Sequence, residues 1–500
     1  MHSREVYVGV HRDSPGWTRV LDQDRMAHRP DDDGSAPVIV LEGRLPAWSS
    51  DYVAAGGVLV VSGALPAEPL LPPGSIASVT GFTAPKGDRR VWAPALATLF
   101  EGEGVGELRL HEDRVVKYGR DPDVFPAVIS RRHGRGAVVA SGMPLTSLLH
   151  APGDRLRQFS RFSEVTERVA SVDKADLADT LTWMLTRAFE LAGLPLVTLP
   201  RFPGGAQSVL IFRVDVDGPY GQNMRELAES VTRHRIAASF YLNGDLSAEH
   251  VGTLSGWGSG TEVGQHGQLH TILGSTAENL ENLQAAETWM YASTGRHPTS
   301  FVGPRGLWNR QLGEALASLG YRYSSDFGLD FDSLPFRADG GILQIPVHPY
   351  SPERAAVWAD EQGVPAPTPA DVREHYLRTI VEQVRLGRQA HVYGHPQVLG
   401  TMAEQVLPAL SAVADRFALP RMTLAGYADF WLRRERLTPR VEVTTDGTIE
   451  VSVDDSGLDD SGLDDIGLEP GVRAPSGSAV VVNERRVDAS PLTATGPAEQ

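Results

Sequence analysis

The chain has 500 residues, 41% of them apolar, enough for two or three domains with sizeable cores. A net charge of -17 argues against an electrostatic grip on nucleic acid or anionic lipid. The absence of cysteine excludes disulfides, thiolate metal sites and a cysteine nucleophile. The charge is unevenly placed, because residues 441–500 carry 13 acidic against 3 basic side chains. The N-terminus has no apolar stretch of signal-peptide type and no run of about 18 apolar residues occurs, so a cytoplasmic protein without a membrane partner is expected.

In the first 200 residues, "APVIVLEG" (36–43), "GGVLVVSG" (56–63) and "RGAVVASG" (135–142) read as buried parallel strands of an open α/β sheet. Residues 174–193 follow with apolar side chains at helical spacing and glycine at the stop. The segment 194–205, with three prolines, reads as a linker. A second α/β succession begins at "SVLIFRVDVDG" (208–218). It continues through "AASFYLNG" (237–244), "TEVGQHG" (261–267), a helix at 275–295, "TSFVGPRG" (299–306), "GILQIPVHPY" (341–350) and "QAHVYGHPQ" (389–397). The helix opens on Ser275 with Glu278 three residues on, a capping box. Beyond 437, "RVEVTTDGTIEVSVDD" alternates around Asp-Gly as a hairpin does. "DDSGLDDSGLDDIGLEP" is acidic and of low complexity, and it lacks the order of an EF-hand loop. Three domains are expected, at 1–200, 201–437 and 438–500, the last a β-rich or flexible tail.

Asp215 and Asp217 stand two apart, so on a strand both carboxylates leave the same face. Two such charges need a cation or a proton between them. Gly218-Pro219 ends the strand and leaves the pair at its C-terminal mouth, where α/β active sites gather. His266 and His270 would reach one ion from a single helical turn. Two imidazoles and a carboxylate suit zinc or another divalent first-row metal. His391 and His395 form a rival pair, but on a strand they stand about 13 Å apart, which casts His395 as a lone acid or base. For each of these, ordinary surface or packing roles are the alternative.

Taken in order, the aspartate pair with Gly-Pro, "ASFYLNG", "EVGQHGQLH", "GPRG" and the late histidine strand resemble the polysaccharide deacetylase (NodB-homology) family over about residues 205–435. The resemblance implies an irregular (β/α) barrel and a metal-dependent hydrolase of C–N amide bonds, acting on an N-acetylated sugar or a small relative of one. It casts Asp217, His266 and His270 as ligands of a divalent metal (zinc, with Co, Ni, Mn or Fe as alternatives). Asp215 becomes the general base, His395 the general acid, and a backbone N–H of Pro304-Arg305-Gly306 the oxyanion donor. Trp308 and His348 fall where the family contacts substrate, although packing serves Trp308 equally well. Two departures stand out. Val216 separates aspartates that are adjacent in the common pattern, and Val302 occupies the place of the arginine that orients the base. Arg213, on the same strand face as Asp215, or Arg305 could fill that role. The vacant position also favours a rival reading, a protein that retains the metal without turnover; hydrolysis of small cyclic amides is a third. Residues 1–200 faintly resemble a class I glutamine amidotransferase-like sheet, of flavodoxin type, that has no nucleophile. The oligomeric state is not legible.

Overall fold

The computed structural model describes residues 3–85, 89–110, 124–244, 260–454, 470–476, 478–483, 485–487 and 489–492. The contacts divide the chain into two units, one of residues 1–152, 171–201 and 433–500, the other of residues 153–170 and 202–432. These are not the three consecutive blocks expected. The C-terminal segment folds with the N-terminal region, and a short piece of the first 200 residues folds with the second unit.

In the first unit, His28–Pro30, Val8–Val10, Val38–Glu42, Val58–Ser62 and Gly136–Ser141 are parallel neighbours in that order. The sheet continues antiparallel through Phe125–His133, Val105–Leu110, Gly74–Thr83 and Arg90–Phe100. Val38, Val40, Val58 and Val60 belong to one apolar cluster, while Ile39, Leu41, Leu59 and Val61 belong to another. Burial on both faces is why these strands read as unbroken apolar runs. The helix Lys174–Ala192 ends at Gly193, which takes the left-handed conformation at its C-cap.

Thr438–Val443 and Ile449–Asp454 form the expected hairpin, and the first of them pairs with Arg4–Glu5. Val441, Ile449 and Val451 are buried in the same core as the first sheet, so this part of the tail is structural. Residues 455–469, most of the acidic repeat, lie outside the described residues.

The second unit is an α/β domain whose sheet runs Phe336–Arg337, Leu343–Gln344, Tyr323–Ser324, Ser300–Phe301, Thr261–Gln265, Ala238–Leu242, Leu210–Val216, Ala390–Gly394. All neighbours are parallel except the first pair, and Arg421–Met422 adds to Leu210–Val216. The alternation of the 210–216 strand sorts its side chains. Leu210, Phe212, Val214 and Val216 pack in an apolar cluster with Met224, Leu227 and Val231 of the helix Gly221–Arg233. Arg213 and Asp215 therefore point to the other face, into the curl of the sheet.

The helix Thr276–Thr294 carries the expected capping box at Ser275, and Gly295 closes it. The strand Asp154–Gln158 pairs antiparallel with Thr166–Ala170, and this hairpin belongs to the same unit. Among the described residues no helix is long and apolar enough to cross a membrane.

Candidate metal centre and hydrolytic site

Asp215 and Arg213 lie within the strand Leu210–Val216, and other expected site residues follow the C-terminal ends of strands. Asp217 follows Leu210–Val216, His266 follows Thr261–Gln265, Gly303 lies just past Ser300–Phe301, and His395 follows Ala390–Gly394. Parallel strands place all of these ends on one rim. His266 and His270 do not share a helical turn, because residues 266–270 form a bend directly after the strand. Gly267 makes the bend at φ +81, a conformation an L side chain resists. Its carbonyl accepts from Asn243 Nδ2 at 3.0 Å, and the Leu269 N–H donates to Asn282 Oδ1 at 2.7 Å. Two elements thus hold the loop that returns His270 toward His266, with ring centroids 5.1 Å apart.

One donor atom from each of Asp217, His266 and His270 lies within 4.8 Å of the other two. His270 Nε2 is 3.3 Å from Asp217 Oδ2. His266 is buried, and its Nδ1 lies 2.7 Å from the Val302 carbonyl, which fixes Nδ1 as the protonated nitrogen and leaves Nε2 as the donor. Burial pushes His266 down to about 4, partly opposed by Asp215. Burial also lowers His270, again against the pull of Asp217. Both rings are therefore neutral, the state in which imidazole binds metal. Burial would raise the Asp217 carboxyl, but His395, the Tyr220 hydroxyl, His266 and His270 outweigh it and hold it below the ordinary carboxylate range. Two neutral imidazoles and an ionised carboxylate are a donor set that would suit a divalent first-row ion.

Asp215 lies beside this set, 3% exposed, with its Oδ2 taking a hydrogen bond from Arg213 Nη2 at 2.8 Å. Its Oδ1 is buried and has no hydrogen-bond partner among the described residues. Arg213 is wholly buried. Its Nη1 donates to the Ser325 carbonyl at 2.7 Å and to Ser325 Oγ at 3.1 Å, and its guanidinium lies 4.6 Å from the Tyr393 ring centroid. With Val302 at the position of the family's arginine, the guanidinium against Asp215 comes from Arg213 on the same strand.

His395 stands with Nε2 3.7 Å from Asp217 Oδ2 and Nδ1 3.2 Å from Glu353 Oε2. Burial lowers its basicity, but the Glu353 hydrogen bond and charge, with Asp217 and Asp215 behind them, raise it to about 9. Glu353 is buried at the start of the helix Pro352–Gln362 and also accepts from the Leu399 N–H at 3.1 Å and Ser351 Oγ at 2.9 Å. The sequence reading missed Glu353, since nothing local distinguishes it and it lies 42 residues from its partner. Tyr220 was also missed, although it follows the aspartate motif at once; its hydroxyl donates to Asp217 Oδ1.

The remaining expected residues are more scattered. Pro304–Gly306 is a tight turn in which the Gly306 N–H donates to the Gly303 carbonyl at 2.9 Å. Proline has no N–H, so of the three only Arg305, at φ +60, can offer one. The Gly303 N–H donates to Asp326 Oδ1 at 2.7 Å, which pins the turn. Trp308 is half-buried beside the apolar cluster of Leu283, Phe301 and Leu312, its Nε1 3.5 Å from Asp339. His348 is half-buried, edge-on to Phe159 at 5.1 Å and 5.3 Å from the His375 ring, and burial keeps it neutral. His391 is buried with Nδ1 3.0 Å from the Pro346 carbonyl, a structural histidine.

Residues 198–324 match the family model described as Polysaccharide deacetylase, and the chain carries a deacetylase domain of NodB type. No curated protein matches. Among solved structures, one from Mycobacterium smegmatis assigned to the polysaccharide deacetylases aligns over 46% of this chain and 91% of its own, at 18% identity and a TM-score of 0.38. A family 4 carbohydrate esterase from Streptomyces lividans, in complex with acetate, aligns over 43% and 92%, at 15% identity and a TM-score of 0.30. BA3943 of Bacillus anthracis, a family pseudoenzyme, aligns over 46% and 68%, at 14% identity and a TM-score of 0.32.

Proposed function

We propose that the second unit is an irregular (β/α) barrel that hydrolyses a C–N amide bond with a divalent metal, removing the acetyl group from an N-acetylated sugar or a related small substrate. The observation that carries this reading is the convergence of Asp217, His266 and His270 beside the unpartnered Oδ1 of Asp215. The three converging side chains would hold the cation, with zinc the first candidate. Such an ion, when bound, polarises the scissile carbonyl and acidifies the attacking water.

The chain's own groups supply the rest. Asp215 Oδ1 takes the proton of the water, while Arg213 on Oδ2 holds the carboxylate in place. A metal holder without turnover would need neither this base nor its guanidinium clamp. In this reading the Arg305 N–H, in the turn pinned by Asp326, is the donor to the developing oxyanion. His395, protonated and held by Glu353, delivers the proton to the leaving amine. Acetate release from N-acetylated sugars, run beside ammonia release from cyclic amides on protein of measured metal content, tests the reading. A metal-loaded protein inactive on every N-acetylated and cyclic amide would reject it.

A further inference from the structure

The hairpin Asp154–Gln158 and Thr166–Ala170 comes from the sequence region that otherwise builds the first unit, yet it packs on the second. Val169 is fully buried among Phe327, Phe331, Val347 and Tyr393, and the Phe159 ring meets Phe331 edge-on at 5.3 Å. Two of these contacts belong to the walls of the hydrolytic site. Phe327 lies against Gly306 of the oxyanion turn, where an added Cβ would come within 2.4 Å of its ring. Tyr393 lies on Arg213 and has its ring centroid 5.8 Å from that of His395.

Glu167 stands two residues before Val169, so it leaves the strand on the same face, toward the same rim. Its cross-strand partner is Arg157, whose guanidinium lies 5.0 Å from the Phe159 ring centroid. Val169, on that same face, packs with Tyr393, whose ring adjoins that of His395, so the face that carries Glu167 looks toward the proposed acid. Glu167 is half-buried, and burial, against the pull of Arg354 and His395, raises it to about 7. Holding a carboxyl in such a place is costly unless a ligand compensates it.

We infer that Glu167 is a substrate-binding residue on the leaving-group side, its carboxyl accepting a hydrogen bond from a hydroxyl or from the amine of the sugar that carries the acyl group. This rests on the deacetylase reading, in which the amine departs toward His395. The hairpin then determines which N-acyl compounds fit, while the metal set and Asp215 carry out the chemistry.

The test compares wild type, Glu167→Gln and Glu167→Asp on di-N-acetylchitobiose, with metal content measured for each. Glu167→Gln is expected to raise KM about 10-fold, the worth of one hydrogen bond to a charged group, with kcat within about twofold and metal unchanged. Glu167→Asp is expected to recover part of the loss. A readout free of turnover uses the Asp215→Asn background, with calorimetric Kd for the same disaccharide and for glucosamine, with and without Glu167→Gln. A Kd weakened about 10-fold by the second substitution supports the inference even if wild type releases no acetate, an outcome that would sink the deacetylase reading alone. An active wild type with KM and Kd indifferent to Glu167→Gln overturns the inference and leaves the reading standing. If neither saccharide binds at all, the inference is overturned as well.

Discussion

Replacing Arg213 by alanine tests whether a strand arginine has taken over the alignment of the base. The guanidinium is fully buried and makes hydrogen bonds of 2.8 Å to Asp215, 2.7 Å to the Ser325 carbonyl and 3.1 Å to Ser325 Oγ. Its loss leaves a carboxylate that is 3% exposed without the guanidinium that holds its Oδ2. Stranding one member of a buried ion pair costs about 3–5 kcal/mol, so a lower unfolding midpoint is expected. The rate effect has a separate origin. Asp215 is still present but no longer held, and a misplacement of about 1 Å costs about 100-fold, or about 2.7 kcal/mol of transition-state stabilisation. The metal set does not include Arg213, so metal content should hold. Arg213→Lys can keep the charge but not the two-pronged contact, and should fall between wild type and alanine. The assay is kcat for acetate release with metal analysis and circular dichroism on the same samples. A folded, metal-loaded Arg213→Ala protein with wild-type kcat, beside an inactive Asp215→Asn protein, would refute the alignment argument.

His266→Ala, His270→Ala or Asp217→Asn should each lower bound metal well below one ion per chain, read by elemental analysis. Chelation should abolish activity in a way that added zinc restores. Glu353→Gln removes the charge that holds His395 protonated, so amide hydrolysis should slow about 10- to 100-fold. Hydrolysis of an activated aryl acetate, whose leaving group needs no proton, should change little; equal losses on both would argue against His395 as the acid. Ser275→Ala should cost about 1 kcal/mol in denaturant unfolding through loss of the capping box. Burial raises the Asp326 carboxyl to about 6 against the hydrogen bonds from Ser324, Gly303 and Gln344. A folded value above the unfolded one means that its stabilising contribution is complete below about pH 4. That contribution, about 3 kcal/mol, is lost as pH rises through 6. Asp326→Asn should flatten the stability profile between those limits, as followed by urea unfolding at each pH.

The sequence by itself determined the local parts of this protein. Unbroken apolar runs specify strands buried on both faces, as at 38–42 and 58–62. Period-two spacing places Arg213 and Asp215 on one face of a strand that Asp217 directly follows, and Ser275 with Glu278 announces a helix start. Such features depend on neighbours a few residues away, which is why residue order alone carries them. Where the chain meets itself over long separations, only the tertiary structure decided.

The bend at Gly267, tied to Asn243 and Asn282, brings His270 back to His266, where spacing suggested a helical turn. Glu353 finds His395 because two strand-to-helix junctions share a rim, and Trp308 comes to lie beside an apolar cluster. The N- and C-terminal segments pair as strands of one unit, and residues 153–170 leave the first sheet for the second unit. The physical reason is that unpaired strand edges and apolar faces are satisfied by whatever surface comes nearest in space, at a distance along the chain that no local pattern records.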